Sequence, residues 1–228
     1  MLVIVTGASR GIGFELVKLF AADKQTHVIA VSRHTGPLLK LKLKNLNVIT
    51  ADITLNKGRL RVLDAVKKEK RPLNILVNNA GVLVNKAFSK ITEQELKLTY
   101  ETNVFAPFML IQNLLNQFKP GETSHIVNVG SMGGFQGSSK FPGLSAYSAS
   151  KAALANLTEC LAEELKDSGI SVNCLALGAV QTEMLATAFP GYQAPVNKED
   201  MGEFVAWFAM QGGRFFNGKI LPVSVSTP

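Results

Sequence analysis

The chain has 228 residues, 46% hydrophobic and 18% charged, the balance of a globular protein long enough to bury a sizeable core. No apolar run approaches the ~20 residues that a membrane-spanning helix needs, and Cys160 and Cys174 are too few for a disulfide framework. The net charge of +7 draws on lysines along Leu39–Lys44 and at Lys67–Arg71, without the interleaved aromatics of a single-strand binder, so neither nucleic acid nor membrane is expected as a partner.

In chain order, Val3–Val5, Val28–Val31, Val48–Thr50, Ile75–Val77, Ile126–Val129 and Val172–Leu175 read as strands. Their apolar residues run on without alternation, as in strands buried on both faces. Helical patterns fall between them at about 11–22, 57–70, 102–118, 148–168 and 198–211, and Thr92-Glu93-Gln94-Glu95 is a capping box opening another short helix. This alternation predicts an α/β fold, a doubly wound parallel sheet with helices on both faces. No linker or repeat divides it, so residues 1–228 are expected to form one domain. A strand candidate at Leu2 leaves no room for a signal peptide, and the low cysteine count fits a reducing cytoplasm.

Two regions break the rhythm. Gly133–Gly143 reads as a glycine- and serine-rich loop, and residues 179–196, with Phe189-Pro190-Gly191-Tyr192, read as a short substrate lid. Phe135, Phe141, Leu144, Met184, Leu185, Phe189 and Tyr192 lie in these loops and suit a fairly apolar small-molecule substrate, unless they pack against the fold. His27, His34 and His125 have no ligand spacing, so no metal is expected. Trp207 and Phe208 read as core.

The turn after the first strand carries Gly7, Ser9, Arg10, Gly11, Ile12 and Gly13 as T-G-x-x-x-G-x-G. Glycines there allow a tight turn and bring backbone close to a pyrophosphate at the positive end of the following helix. The second strand ends at Ser32-Arg33, where an NAD site usually places a carboxylate for the ribose. Arg33 and Arg10 instead suit a 2′-phosphate, so NADP(H) is favoured over NAD(H), unless Arg33 merely faces solvent. Asp52, beside Ile53, either accepts from the adenine amine or serves as a turn or N-cap residue. Asn78-Asn79-Ala80-Gly81 ends the fourth strand with residues small enough for a cofactor to approach. Tyr147 and Lys151, four apart on a helix, share a face, and the ammonium is expected to lower the phenol's pKa into general acid/base use. Ser131, directly after a strand, adds a hydroxyl that can polarise a substrate oxygen.

In this order, T-G-x-x-x-G-x-G, N-N-A-G, Asn103, Ser131 and Y-x-x-x-K resemble the single-domain branch of the short-chain dehydrogenase/reductase family, from Val3 to about Thr182. The resemblance implies a Rossmann-type fold and Tyr147 as the catalytic acid/base. It further implies that Lys151 holds the nicotinamide ribose, Ser131 binds the substrate oxygen and Asn103 positions a relay water. Asn79, Ala80, Gly81, Gly178, Val180 and Thr182 would also touch the cofactor. Three features depart from the family pattern: a longer gap between Ser131 and Tyr147, Leu177-Gly178 in place of Pro-Gly, and a tail around Asn217–Val223 without a glycine pair. Ser138 and Ser139 fall within the longer gap, but Ser131 follows the strand directly.

The expected activity is NADPH-dependent reduction of a ketone or aldehyde to an alcohol. The nearest alternative is a 3-oxoacyl-[acyl-carrier-protein] reductase, although Gly121–His125 lacks a carrier-docking arginine. A non-catalytic dinucleotide-sensing regulator usually lacks the tyrosine or lysine, and an extended-branch epimerase or dehydratase wants a longer carboxyl-terminal domain. Surplus apolar residues at 102–118 and 148–168 suggest a homodimer or homotetramer, as in the family.

Overall fold

The computed structural model describes residues 1–119 and 124–225. The chain runs β1 (Leu2–Thr6), α1 (Gly11–Ala22), β2 (His27–Ser32), α2 (Gly36–Leu39), β3 (Leu46–Thr50), α3 (Asn56–Lys68), β4 (Ile75–Asn78) and α4 (Glu93–Tyr100). It continues α5 (Ala106–Leu114), β5 (Ser124–Val129), α6 (Ser145–Glu164), β6 (Ile170–Leu177), β7 (Val180–Gln181), α7 (Glu183–Ala188), β8 (Val196–Asn197), α8 (Lys198–Gln211) and β9 (Ile220–Val223).

Seven strands form one parallel sheet in the order β3-β2-β1-β4-β5-β6-β9, while β7 and β8 pair separately. The connection from β3 back to β4, beside β1, reverses the direction of winding. A crevice therefore opens above the carboxyl ends of β1 and β4.

Successive side chains leave a strand on opposite faces, and here both faces are covered. Val3 and Val5 of β1, with Val77 and Val127, pack against Leu16, Val17 and Phe20 of α1 and Val205 and Phe208 of α8. Leu2 and Ile4, with Leu76 and Ile126, pack against Val62 and Val66 of α3 and Leu110, Ile111 and Leu114 of α5. At about 25 cal/mol per Å² of apolar surface, these two buried layers are the main source of stability.

The expected single-domain doubly wound fold is present, with local differences. The helix expected over 102–118 is three pieces: a π-helical turn at Glu101–Phe105, then α5, then a 3₁₀ turn at Leu115–Gln117. Pro107 lacks the N–H that would continue an α-helical ladder, and the chain widens just before it. The seventh strand, β9, has no strong sequence signal because it is short and contains Pro222. At the sheet edge, the missing donor is tolerated. The Thr92 capping box forms, with Glu95 N donating to Thr92 Oγ1 (3.2 Å) and Thr92 N to Glu95 Oε2 (2.9 Å). Gly121–Thr123, most of the stretch without a carrier-docking arginine, lies outside the described residues. Among the described residues, no helix is long and apolar enough to cross a membrane.

Candidate active site

A cavity of about 990 Å³ lies above the carboxyl ends of the strands. Its first half is built on β1, β2 and β3. Gly7 takes φ +65°, and a Cβ there would stand 2.7 Å from the Ala80 Cα. The Thr6 hydroxyl accepts from the backbone N–H groups of Asn79 and Ala80 (both 3.1 Å), while Asn79 Nδ2 donates to the carbonyls of Thr6 (3.0 Å) and Gly7 (3.2 Å). The loops after β1 and β4 are thereby locked edge to edge.

Helix α1 opens into the cavity at Gly11 and Ile12, with no side-chain cap and no acid in its first turn. Its unpaired N–H groups and positive end suit a phosphate. Arg10, Ser32, Arg33 and His34 line the same end, and Ser32 Oγ donates to Ser9 Oγ (2.9 Å). The absence of a carboxylate on Ser32-Arg33-His34, beside two guanidiniums, fits a dinucleotide bearing a 2′-phosphate.

Asp52 and Ile53 line the wall. Asp52 Oδ1 accepts from Thr54 N (3.0 Å) and Thr54 Oγ1 (2.7 Å), so its turn-forming role is realised while it faces the cavity. Buried Arg59 donates to the carbonyls of Ile53 (2.9 Å) and Thr54 (2.8 Å) and braces this loop. One expectation is corrected. Gly13 does not line the cavity but packs against the Asn79 side chain and the Gly7 carbonyl, where a Cβ would collide.

The second half rests on β4, β5, β6 and α6. Ser131 follows β5, accepts from Gly133 N (3.2 Å) and lines the cavity together with Tyr147. One turn along α6, Lys151 Nζ is buried, donates to the Val129 carbonyl (2.7 Å) and stands 5.9 Å from the centre of the Tyr147 ring. Burial lowers the Lys151 pKa to about 8, with the neighbouring Cys174 thiol opposing the shift.

For the tyrosine, burial outweighs the expected lowering. Burial raises the Tyr147 pKa above its ordinary value, and the Ser131 hydrogen bond only partly offsets this. Burial disfavours the charged phenolate.

Asn103 lies beneath the tyrosine helix, on the π-turn. It is fully buried and does not line the cavity; Thr102 does. Its amide clasps the Val82 backbone, accepting from N (2.9 Å) and donating to O (2.9 Å), and donates to Ser150 Oγ (3.0 Å). Ser150 in turn donates to the Tyr147 carbonyl (2.7 Å). The side chain thus ties the π-turn to the tyrosine helix. Beneath the site, Asn78 donates to Asn128 and Asn128 to Thr158 (both 2.9 Å). Arg59, Asn128 and Ser150 escaped the sequence reading as site residues. A lone polar residue in an apolar strand was the available signal for Asn128.

Gly178, Val180 and Thr182 line the cavity, and the Thr182 hydroxyl caps α7 by accepting from Leu185 N (3.3 Å). Met184, Leu185, Phe189 and Tyr192 follow on the same wall, with Phe141 and Leu144 from the long loop after Ser131; Phe135 does not line it. Of the two aromatics expected in the core, Phe208 is buried, whereas Trp207 is half exposed.

Known proteins resemble this chain in sequence and fold. An L-xylulose reductase of Caenorhabditis elegans is 34% identical over 189 residues, covering 80% of this chain and 72% of its own. An L-2,3-butanediol dehydrogenase of Corynebacterium glutamicum is 28% identical over 249 residues, covering 96% and 95%. The crystal structure of a short chain dehydrogenase from Burkholderia cenocepacia in complex with NADP superposes with a TM-score of 0.86 at 29% identity, covering 99% of this chain and 96% of its own. The family described as short chain dehydrogenase matches residues 1–193. With that match over most of its length and a doubly wound sheet beneath its serine, tyrosine and lysine, this chain is an oxidoreductase of the short-chain dehydrogenase/reductase family.

Proposed function

We propose that this protein is an NADPH-dependent carbonyl reductase that converts a ketone or aldehyde of fairly apolar character to an alcohol. One observation carries the reading: Ser131 and Tyr147 line the same cavity as Arg10 and Arg33. The NADP complex of the Burkholderia relative supports the cofactor choice. When bound, the nicotinamide cofactor supplies the hydride.

The chain's own residues do the rest. The Ser131 and Tyr147 hydroxyls donate to the substrate carbonyl oxygen and stabilise the charge that grows on it. Burial keeps Tyr147 protonated at neutral pH, the form required of a proton donor in reduction. Lys151, charged below its pKa of about 8, favours the phenolate left behind. Arg10, Arg33 and the start of α1 would hold the phosphates, and Lys151 would hold the nicotinamide ribose. Asn103 fixes the tyrosine helix through Ser150. Segment 179–196 acts as the lid. The same groups run the reverse oxidation when the cofactor ratio favours it.

The test is NADPH oxidation by the wild type and Tyr147→Phe over ketones, aldehydes, diketones and 3-oxoacyl thioesters. Turnover that disappears in Tyr147→Phe, with NADPH affinity kept within a few fold, is expected. Unimpaired turnover in that variant, or none by the wild type on any substrate, overturns the proposal.

A further inference from the structure

The substrate end of the cavity differs in chemistry from the phosphate end, and the long loop after Ser131 is part of that difference. Loop 135–143 is tied to itself: Lys140 Nζ donates to the Phe135 carbonyl (2.6 Å) and to Ser138 Oγ (2.7 Å), and Ser138 donates to the carbonyls of Met132 and Phe135. So braced, it presents Phe141 to the cavity although that side chain is 45% exposed. The lid contributes Phe189 and Tyr192, the latter 50% exposed. Half-exposed aromatics that line a cavity offer flat apolar surface to a ligand.

The two rims are joined through a third segment. Lys86 N donates to the Gly143 carbonyl (2.9 Å), and Asn85 Nδ2 donates to the carbonyl of Ala188 at the end of α7 (2.8 Å). Asn85 Oδ1 also packs against Gly143. One exposed asparagine therefore sets the separation between the Phe141 loop and the Phe189–Tyr192 segment.

Charge narrows the ligand further. The lysines on these segments are committed elsewhere, Lys86 to Glu95 (2.9 Å) and Lys140 to its own loop, and neither lines the cavity. Arg10, Arg33 and His34 belong to the β1–β3 end. Phe141 and Phe189 offer no partner to the several hydroxyls of a sugar. Burying unpaired hydroxyls is costly, so a polyol is disfavoured.

Resting on the reductase reading, we infer that Phe141, Phe189 and Tyr192 form an aromatic clamp, spaced by Asn85, that selects an uncharged aryl or cyclic ketone. Phe141 is the specificity-determining residue, and Asn85 is a positioning residue. This separates the chain from its L-xylulose reductase relative, whose named substrate is a polyhydroxy ketone.

Two measurements test the clamp. The first is kcat/KM of the wild type for acetophenone, phenylglyoxylate and xylulose. Acetophenone should exceed both of the others at least tenfold, and Phe141→Ala and Asn85→Ala should shrink that preference through KM. The second needs no turnover: melting temperature of Tyr147→Phe with NADPH and 1-phenylethanol, mandelate or xylitol. Stabilisation by 1-phenylethanol alone, weakened by adding Phe141→Ala, is expected. Equal stabilisation by mandelate or xylitol, no stabilisation by 1-phenylethanol, or indifference to Phe141→Ala overturns the clamp. Stabilisation by 1-phenylethanol in a protein whose wild type reduces no carbonyl would leave the clamp standing and remove the reductase reading instead.

Discussion

The two halves of the sheet handle polar groups in opposite ways. Around β1–β3, the cavity is shaped largely by backbone: the Gly7 turn, the open end of α1, and the loop after β3 braced by Arg59. Around β4–β6, buried side chains do the work, with Asn78, Asn103, His125, Asn128, Lys151 and Asn173 all at 4% exposure or less. The first half recognises a charged ligand through N–H groups and guanidiniums that approach from its edge. The second must hold two hydroxyls and an ammonium in fixed positions, and a connected polar interior provides that rigidity. Cofactor affinity and chemistry should therefore separate on mutation.

The strongest challenge to this division is Ser131→Ala. It should lower kcat about 10²–10³-fold, the usual cost of losing one donor to a developing oxyanion, while the NADPH Kd changes less than about threefold. Steady-state kinetics with fluorescence titration of NADPH would show this. A comparable loss in both quantities would mean that the halves are not separable.

Next comes acid sensitivity of the second half. His125 is buried between the Ala209 carbonyl (3.0 Å from Nδ1) and Asn173 Nδ2 (3.0 Å from Nε2). Burial lowers its pKa to about 4, with backbone hydrogen bonds to Ala209 and Phe208 opposing. The unfolded chain, with His near 6.5, takes up the proton first as pH falls, so stability declines from about pH 6.5 towards about pH 4. The loss from this group is about 3 kcal/mol, readable from urea unfolding at pH 7, 5 and 4. His125 resonances that titrate near 6.5 in the folded protein would contradict it.

The smallest expected effect falls on the first half. Arg33→Ala should reduce the NADPH/NADH selectivity ratio about tenfold, with kcat on NADPH largely kept. An unchanged ratio would place the reading of the 2′-phosphate elsewhere, with Arg10 the other guanidinium on that wall.

Sequence by itself determined the parts whose physics is local. Continuous apolar runs announced buried parallel strands, the glycine spacing announced a phosphate turn, and four residues from Tyr147 to Lys151 announced a shared helix face. It also placed Ser131 at the end of its strand. What depended on distant partners was not legible. The clasp of Asn103 on Val82 and the buried Asn78–Asn128–Thr158 chain join segments tens of residues apart. Gly13 looked like a ligand contact because spacing cannot distinguish a glycine that admits a ligand from one that admits a neighbouring loop. The Tyr147 pKa went the other way from expectation for a related reason. A four-residue spacing sets proximity, but burial, which only the packed tertiary structure decides, sets the cost of charge.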